Sequence, residues 1–163
     1  MTGRGVHFAL RPEQAERLVT LATDEDLLDF ITEHVEAEWD EDWLQETDKA
    51  WDAIHRCLTD GTLNCTSGSV LEKCVAGGEH LYQGDDYFVS FIRADETEHV
   101  ASALVPLDNA WIRAKYRRLD PEDYGMQLSR EDEDYTTENF LELKKFYQKA
   151  AGEPRAVVFT VDQ

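Results

Sequence analysis

The residues with the clearest chemical potential lie between Trp43 and Leu58, in the stretch WLQETDKAWDAIHRCL. Its apolar residues recur at helical spacing, so the pattern predicts one amphipathic helix. An acid and a histidine fall on the face that should be apolar, where a polar group costs free energy unless it is paired. The polar groups on this face are therefore candidates for a functional site. The face comprises Leu44, Asp48, Trp51, Ile54 or His55, and Leu58.

His55 is the group in this predicted helix that could act in acid–base chemistry. Asp52 lies three residues before it and within reach, whereas Asp48 is two turns away, about 10.5 Å along the helix axis. A histidine oriented by a carboxylate can serve as a general base. The alternative is structural, with His55 closing the edge of the core and donating to a backbone carbonyl. Because no nucleophile or oxyanion motif accompanies it, the sequence assigns no catalytic residue.

The sequence predicts no metal site and no cofactor. The five histidines lack the spacing of a metal-binding helix, and the carboxylates lack the calcium-loop pattern. The glycine-containing turns Ser67–Ser69 and Ala76–Glu79 match neither phosphate-binding nor dinucleotide-binding fingerprints. Glu79 follows the Gly77–Gly78 turn, so it either points into a cleft or is a solvated loop acid.

A dense acidic segment, EAEWDED, precedes Trp43, and the chain carries 35 acidic against 16 basic residues, a formal charge of −19. Such a surface repels phosphate backbones and anionic lipid, so neither nucleic acid nor a membrane is an expected partner. It attracts basic proteins, and tryptophans within an acidic field can anchor one. The alternative is that the charge serves solubility alone and the tryptophans are ordinarily half-buried. The candidate interaction residues are Glu36, Glu38, Trp39, Asp40, Glu41, Asp42 and Trp43.

Cysteine usage and hydropathy favour a cytoplasmic protein. The three cysteines show no close pair, which argues against a disulfide framework and against a zinc knuckle. The N-terminal run MTGRGVHFAL is too short in apolar residues for a signal peptide, and no stretch approaches the ~18 apolar residues of a membrane helix. We expect a monomer or a weak homo-oligomer.

The predicted fold class is α+β, in a single domain over residues 1–163. Strands are predicted at Val6–Leu10, Tyr87–Ile92 and Ala156–Val161, and the near-continuous apolar character of the last indicates a central strand buried on both faces. These strands should form a small mixed or antiparallel sheet covered by five or six helices.

The helices are predicted from their capping residues and periodicity. The polar stretch from Asp120 to Asp134 is predicted to be a loop. The helices run from Arg11 to about Ala22, from a cap at Thr23 through Val35, from Trp43 to Leu58, from about Asp95 to Leu104, from a cap at Asp108 to about Leu119, and from a cap at Thr136 or Thr137 to Ala151.

Several segments in order resemble the YfbM-like bacterial family, a domain of unknown function. They are L-x-P-E-Q after the first strand, D-K-A-W-D-A-I-H, A-G-G-E, and the closing E-N-F-x-E-L-K-x-F-Y-x-x-A-A. The resemblance implies a single-domain α+β fold in a bacterial cytoplasm and brings no established activity. The acidic run, Asp52 and the segment Cys65–Cys74 depart from the family pattern. The positions that match its recurrent motif are Asp48, Lys49, Trp51, His55 and Glu79.

Two functions from different classes follow. The first is a non-enzymatic module that binds a basic protein, for example an inhibitor or immunity protein against a basic toxin. The second is a small-ligand binder or enzyme with a cleft near Trp51, His55 and Glu79. A third reading is a housekeeping protein whose partner the sequence does not indicate.

Overall fold

A five-stranded antiparallel sheet organises the chain, in a computed structural model that describes residues 3–162. The strand order is β2-β1-β5-β4-β3, which confirms β5 as the central strand. Its run VVFTV is buried throughout, because helices cover both faces of the sheet. The strands are β1 Gly5–Ala9, β2 Leu44–Asp48, β3 Glu79–His80, β4 Tyr87–Ile92 and β5 Val157–Asp162.

The described residues contain seven α-helices rather than the expected five or six, and the α+β fold class is confirmed. A π-helical segment, Thr32–Glu36, continues α2, and a short 3₁₀ segment occupies Leu71–Cys74. The helices are α1 Pro12–Thr20, α2 Asp24–Ile31, α3 Trp51–Leu58, α4 Ala94–Leu104, α5 Asn109–Tyr116, α6 Pro121–Tyr124 and α7 Arg130–Gly152.

Two apolar layers enclose the sheet. On one face, β1, β4 and β5 pack against α1, α2 and the π-helical segment; on the other, α3, α4, α5 and α7 form the larger core. The alternation of β5 explains both layers, since Val158 belongs to the first and Val157, Phe159 and Val161 belong to the second.

The single helix predicted from Trp43 to Leu58 is wrong in its first half. Leu44 to Asp48 form an edge strand that pairs with β1, and a positive φ of 47° at Asp48 ends it. The backbone of this strand forms hydrogen bonds with β1, which lies far away in the sequence. This pairing stabilises a strand more than the helical spacing of the side chains favours a helix. Asp48 therefore does not share a helix face with His55.

The loop predicted from Asp120 to Asp134 is also wrong, because it contains α6 and the first turns of α7. Ser129 caps α7, its Oγ accepting from the backbone N–H of Asp132 at 3.0 Å. Thr136 and Thr137, expected as caps, are buried inside the helix. The acids of this stretch lie in the first turn of α7, where their charge suits the positive end of the helix dipole, and Glu133 binds Arg113 of α5 and Arg117 just after it.

Replacing Ser129 by alanine should lower the free energy of unfolding by about 1 kcal/mol, because one N-terminal amide of α7 loses its acceptor. Chemical denaturation of the variant beside the wild-type protein measures this loss. Threonine at position 129 retains the acceptor and serves as the control. An alanine variant as stable as the wild type would contradict Ser129 as the cap.

Candidate functional site

His55 is completely buried on α3, and its Nε2 lies 3.1 Å from the backbone oxygen of Asn64. The ring donates to that carbonyl, and Cys65 Sγ lies 3.8 Å from the same nitrogen. Burial lowers the pKa of His55, which favours the neutral imidazole. The carboxylate of Asp52 accepts from Arg56 Nε at 2.7 Å. This arrangement is the structural alternative that the sequence left open.

The other predicted ligand-binding residues are spread over the sheet. Asp48 Oδ2 accepts from the hydroxyl of Tyr135 at 2.7 Å, and exposed Lys49 donates its backbone N–H to the same hydroxyl. The indole of Trp51 is buried and donates to the backbone oxygen of Gly3 at 3.0 Å.

Glu79 is exposed on β3, the edge strand opposite the one that ends at Asp48. Four strand spacings separate the two edges, roughly 19 Å. Glu79 lines a cavity with Leu18 of α1 and Leu27 of α2, on the face of the sheet that α3 does not cover. The structure therefore does not bring Glu79 together with Asp48, Lys49, Trp51 and His55. Ligand binding by these residues stays a prediction.

The acidic segment forms the end of the π-helical segment and an exposed loop that leads into β2. The carboxylate of Glu38 binds the guanidinium of Arg11, at 3.0 Å for the shorter contact. The ring of Trp43 contacts two cations, with Lys149 Nζ at 4.4 Å and Arg155 Cζ at 3.5 Å from its centroid. The three acids between the tryptophans, Asp40, Glu41 and Asp42, are exposed.

A cavity of about 130 Å³ opens beside this loop, over one end of the sheet. We call it the Glu36 pocket. Glu36 Oε1 accepts from the hydroxyls of Tyr87 and Thr160. Its wall consists of Arg4, Val6, Glu36, Trp39, Tyr87, Thr160 and Asp162.

Two irregular backbone features position the loop side of this pocket. The π-helical segment ends at Glu36, and Trp39 adopts a φ of 40°, in the left-handed region that a bulky residue rarely occupies. π-Helical turns and strained residues concentrate at functional sites in proteins. The neighbouring ring of Phe8 holds the indole of Trp39 at a centroid distance of 5.9 Å.

Glu36 is a half-buried acid whose pKa is raised. Burial is the main cause, the charge of Asp162 raises the pKa further, and the hydrogen bond from Thr160 opposes both. Arg4 lines the same pocket, but its guanidinium binds both carboxylate oxygens of Glu46, with Nη2 at 2.6 Å from Oε2. Within residues 3–162, Glu36 forms no ion pair with a cation.

The sequence pointed to Glu36 and Trp39 as interaction residues but missed the rest of the pocket. Tyr87 comes from β4, Thr160 and Asp162 come from β5, and Arg4 immediately precedes β1, so these residues become neighbours only in the sheet. One signal was available: Thr160 interrupts the otherwise apolar run of the central strand. A polar side chain in a buried strand needs a hydrogen-bonding partner, which here is Glu36.

A wider cleft of about 650 Å³ lies between α5 and the start of α7. Arg113 and Arg117 line it, and both guanidinium groups are bound by Glu133. Asp134 also accepts from Arg113, at 2.6 Å. The positive charge of this cleft is therefore largely balanced from within the protein.

The fold and its sites define a small α+β domain with a helix-covered antiparallel sheet. The chain belongs to the family described as a domain of unknown function (DUF1877), whose model matches residues 1–160. The predicted YfbM-like resemblance is thereby confirmed. Among solved structures, the chain is similar to YfbM from Escherichia coli, a protein of unknown function, with a TM-score of 0.67 and 19% identity.

The match to YfbM covers 97% of this chain and 99% of that one, so the similarity extends over the entire fold. At this level of identity the likeness concerns the fold alone. No curated protein matches the chain in sequence. Among the described residues, no helix combines the length and apolar character needed to cross a membrane.

Proposed function

We propose that this protein is a non-enzymatic binding module that docks a basic protein on its acidic segment, Glu36–Trp43. An inhibitor or immunity protein that neutralises a basic toxin is one concrete form of this function. The three cysteines are free thiols, which suits action in the reducing cytoplasm.

One observation carries the proposal: Asp40, Glu41 and Asp42 are exposed side by side and bind no cationic side chain within residues 3–162. The backbone N–H of Asp42 donates to Asp40 Oδ1 at 3.1 Å, which leaves the other carboxylate oxygens open. A partner that brings cations to this loop gains charge-assisted hydrogen bonds without displacing an existing ion pair.

The base of the loop is held in place from both sides. Arg11 binds Glu38 at its start, and Lys149 donates to the backbone oxygen of Asp42 near its end. The ring of Trp43 packs against Lys149 and Arg155. A loop ordered before binding loses less conformational entropy when the partner binds, so more of the electrostatic attraction remains as binding free energy.

The test is a variant in which the three loop acids become Asp40→Asn, Glu41→Gln and Asp42→Asn. Binding of a lysine-rich peptide, followed by isothermal titration calorimetry at low salt, should weaken about tenfold. That estimate allows roughly 0.5 kcal/mol for each of three exposed ion pairs. Raising the ionic strength should weaken the wild-type complex and reduce the difference between the two proteins.

The matched control removes the same number of charges elsewhere, with Glu16→Gln, Glu98→Gln and Glu138→Gln. These side chains are exposed on α1, α4 and α7. The control should bind the peptide nearly as well as the wild type. If both variants weaken binding equally, the peptide responds to net charge alone and the loop is not the docking site.

A further inference from the structure

We infer that the Glu36 pocket receives the ammonium group of a lysine side chain that the partner inserts beside the acidic loop. This inference rests on the proposed function, because the pocket adjoins the acidic segment Glu36–Trp43 and shares Glu36 and Trp39 with it. It adds the chemical identity of the partner's anchoring residue.

The free hydrogen-bond acceptors of the pocket suit such a group. Glu36 Oε1 accepts hydrogen bonds from the hydroxyls of Tyr87 and Thr160, whereas Oε2 has no hydrogen-bond partner within residues 3–162. Asp162 accepts from the backbone N–H of Arg4 through Oδ1 at 3.1 Å, which leaves its Oδ2 open. Two separate carboxylates each offer one oxygen, which suits the rotatable donors of an ammonium.

The charge of the pocket is negative. Glu36 and Asp162 contribute two carboxylates, and the guanidinium of Arg4 is already balanced by Glu46. A half-buried carboxylate without a cationic partner is electrostatically unfavourable, and an incoming ammonium relieves this cost.

The aromatic wall favours the same ligand. The indole of Trp39 already has a cation over it, with Arg4 Cζ at 5.5 Å from the ring centroid, and Tyr87 also lines the pocket. Aromatic rings attract cations and also pack against the methylene stem of a lysine.

Lysine fits the pocket better than arginine for two reasons. A guanidinium binds best when both oxygens of one carboxylate are available, and here Oε1 of Glu36 is occupied. The cavity of about 130 Å³ holds the equivalent of about four water molecules, enough for an ammonium and the end of its stem.

The binding of the ammonium should weaken as the pH falls. A cation stabilises the ionised form of Glu36, so protonation of this carboxylate competes with binding of the ammonium. Because the pKa of Glu36 lies above its ordinary value of 4.5, this competition begins at a higher pH than it would for an exposed glutamate. The other charged or titratable groups around Glu36 are Asp162 on β5, Tyr87 on β4, and the ion pair of Arg4 before β1 with Glu46 on β2.

The experiment is an NMR titration of the full-length, ¹⁵N-labelled protein with Nα-acetyl-lysine methylamide. Nα-acetyl-norleucine methylamide, which lacks the amine, is the control ligand. We expect saturable shifts at Trp39, Tyr87 and Thr160 with the lysine compound alone. Glu36→Gln should weaken its binding at least tenfold, since a partly buried charge pair is lost.

Glu33→Gln is the matched control, because Glu33 is exposed on the same π-helical segment. It should bind as the wild type does. Asp162→Asn changes an exposed residue at the end of β5 and supplies a second variant if Glu36→Gln fails to fold. Equal shifts with both ligands, or wild-type binding by Asp162→Asn and Glu36→Gln, would overturn the assignment.

The lysine-rich peptide separates this inference from the proposed function. If the triple loop variant binds the peptide about tenfold more weakly while Glu36→Gln binds it as the wild type does, the acidic loop is the docking site and the lysine pocket is refuted. If Glu36→Gln loses both ligands while the loop variant binds as the wild type does, the pocket stands and the docking role of Asp40, Glu41 and Asp42 fails.

Discussion

Replacing Phe159 by alanine should lower the free energy of unfolding by about 3–5 kcal/mol, the usual loss for a buried phenylalanine. Phe159 is 2% exposed at the middle of the central strand. Its ring lies 4.5 Å from that of His7, 5.8 Å from Trp51 and 6.2 Å from Phe88, by centroids. Removing the ring leaves a cavity between the strands β1 and β4 and the helix α3, and these packed elements cannot close over it.

Urea denaturation monitored by circular dichroism measures this loss. Val19→Ala is the control, because Val19 is 51% exposed on α1 and its truncation should cost under about 0.5 kcal/mol. Leucine at position 159 should recover most of the stability, since it refills part of the volume. A Phe159→Ala protein within about 1 kcal/mol of the wild type would mean that the larger core is not built around this ring.

The second large effect is a pH dependence of stability that His7 controls. His7 is completely buried, its Nε2 donates to the backbone oxygen of Cys74 at 2.8 Å, and its Nδ1 has no hydrogen-bond partner within residues 3–162. Protonation of Nδ1 would bury a charge without an acceptor. Burial therefore lowers the pKa of His7 from its ordinary 6.5 to about 4.

The sign follows from proton binding. Below pH 6.5 His7 is protonated in the unfolded chain, whereas in the folded protein it stays neutral until the pH falls to about 4. The stabilisation is complete above pH 6.5 and is lost as the pH falls toward 4, by about 3 kcal/mol in total. The many carboxylates also titrate in this range, so the effect is measured as a difference between two proteins.

The comparison protein is His7→Phe, which keeps an aromatic ring and removes the titrating group. The carbonyl of Cys74 stays satisfied, because the hydroxyl of Tyr147 also donates to it at 2.7 Å. Between pH 7.5 and pH 4, the stability of the wild type relative to this variant should fall by about 3 kcal/mol. Parallel stability curves for the two proteins would show that His7 titrates normally.

Local sequence patterns were sufficient for the strands that form the centre of the sheet. The apolar run at the end of the chain and the β-branched and aromatic residues of Tyr87–Ile92 predicted β5 and β4 with nearly correct bounds. The caps of α2 and α5 were also correct, with Thr23 accepting from Asp26 and Asp108 from Trp111. Capping and strand burial depend on neighbours within a few residues, so they can be read along the chain.

The errors came where distant segments compete with local preference. Leu44–Asp48 has helical spacing, but its backbone pairs with β1 instead. The acidic residues before Thr136 resemble a solvated loop, yet they form the first turns of α7, where Ser129 caps the helix and Glu133 binds Arg113 and Arg117. The cap is a local signal that the prediction overlooked, whereas neither the partner strand nor the two arginines can be identified from the local pattern.

The candidate site, like the fold, could be predicted from the sequence only in part. The acidic loop and its tryptophans were recognisable in the chain, since their composition alone marks an exposed, negatively charged segment. Tertiary structure decided that Glu79 lies at the far edge of the sheet from Asp48, and that Tyr87, Thr160 and Asp162 surround Glu36. Residue type and local spacing specify which groups are buried or charged, whereas a pocket requires the strand order that only the pairing of distant segments creates.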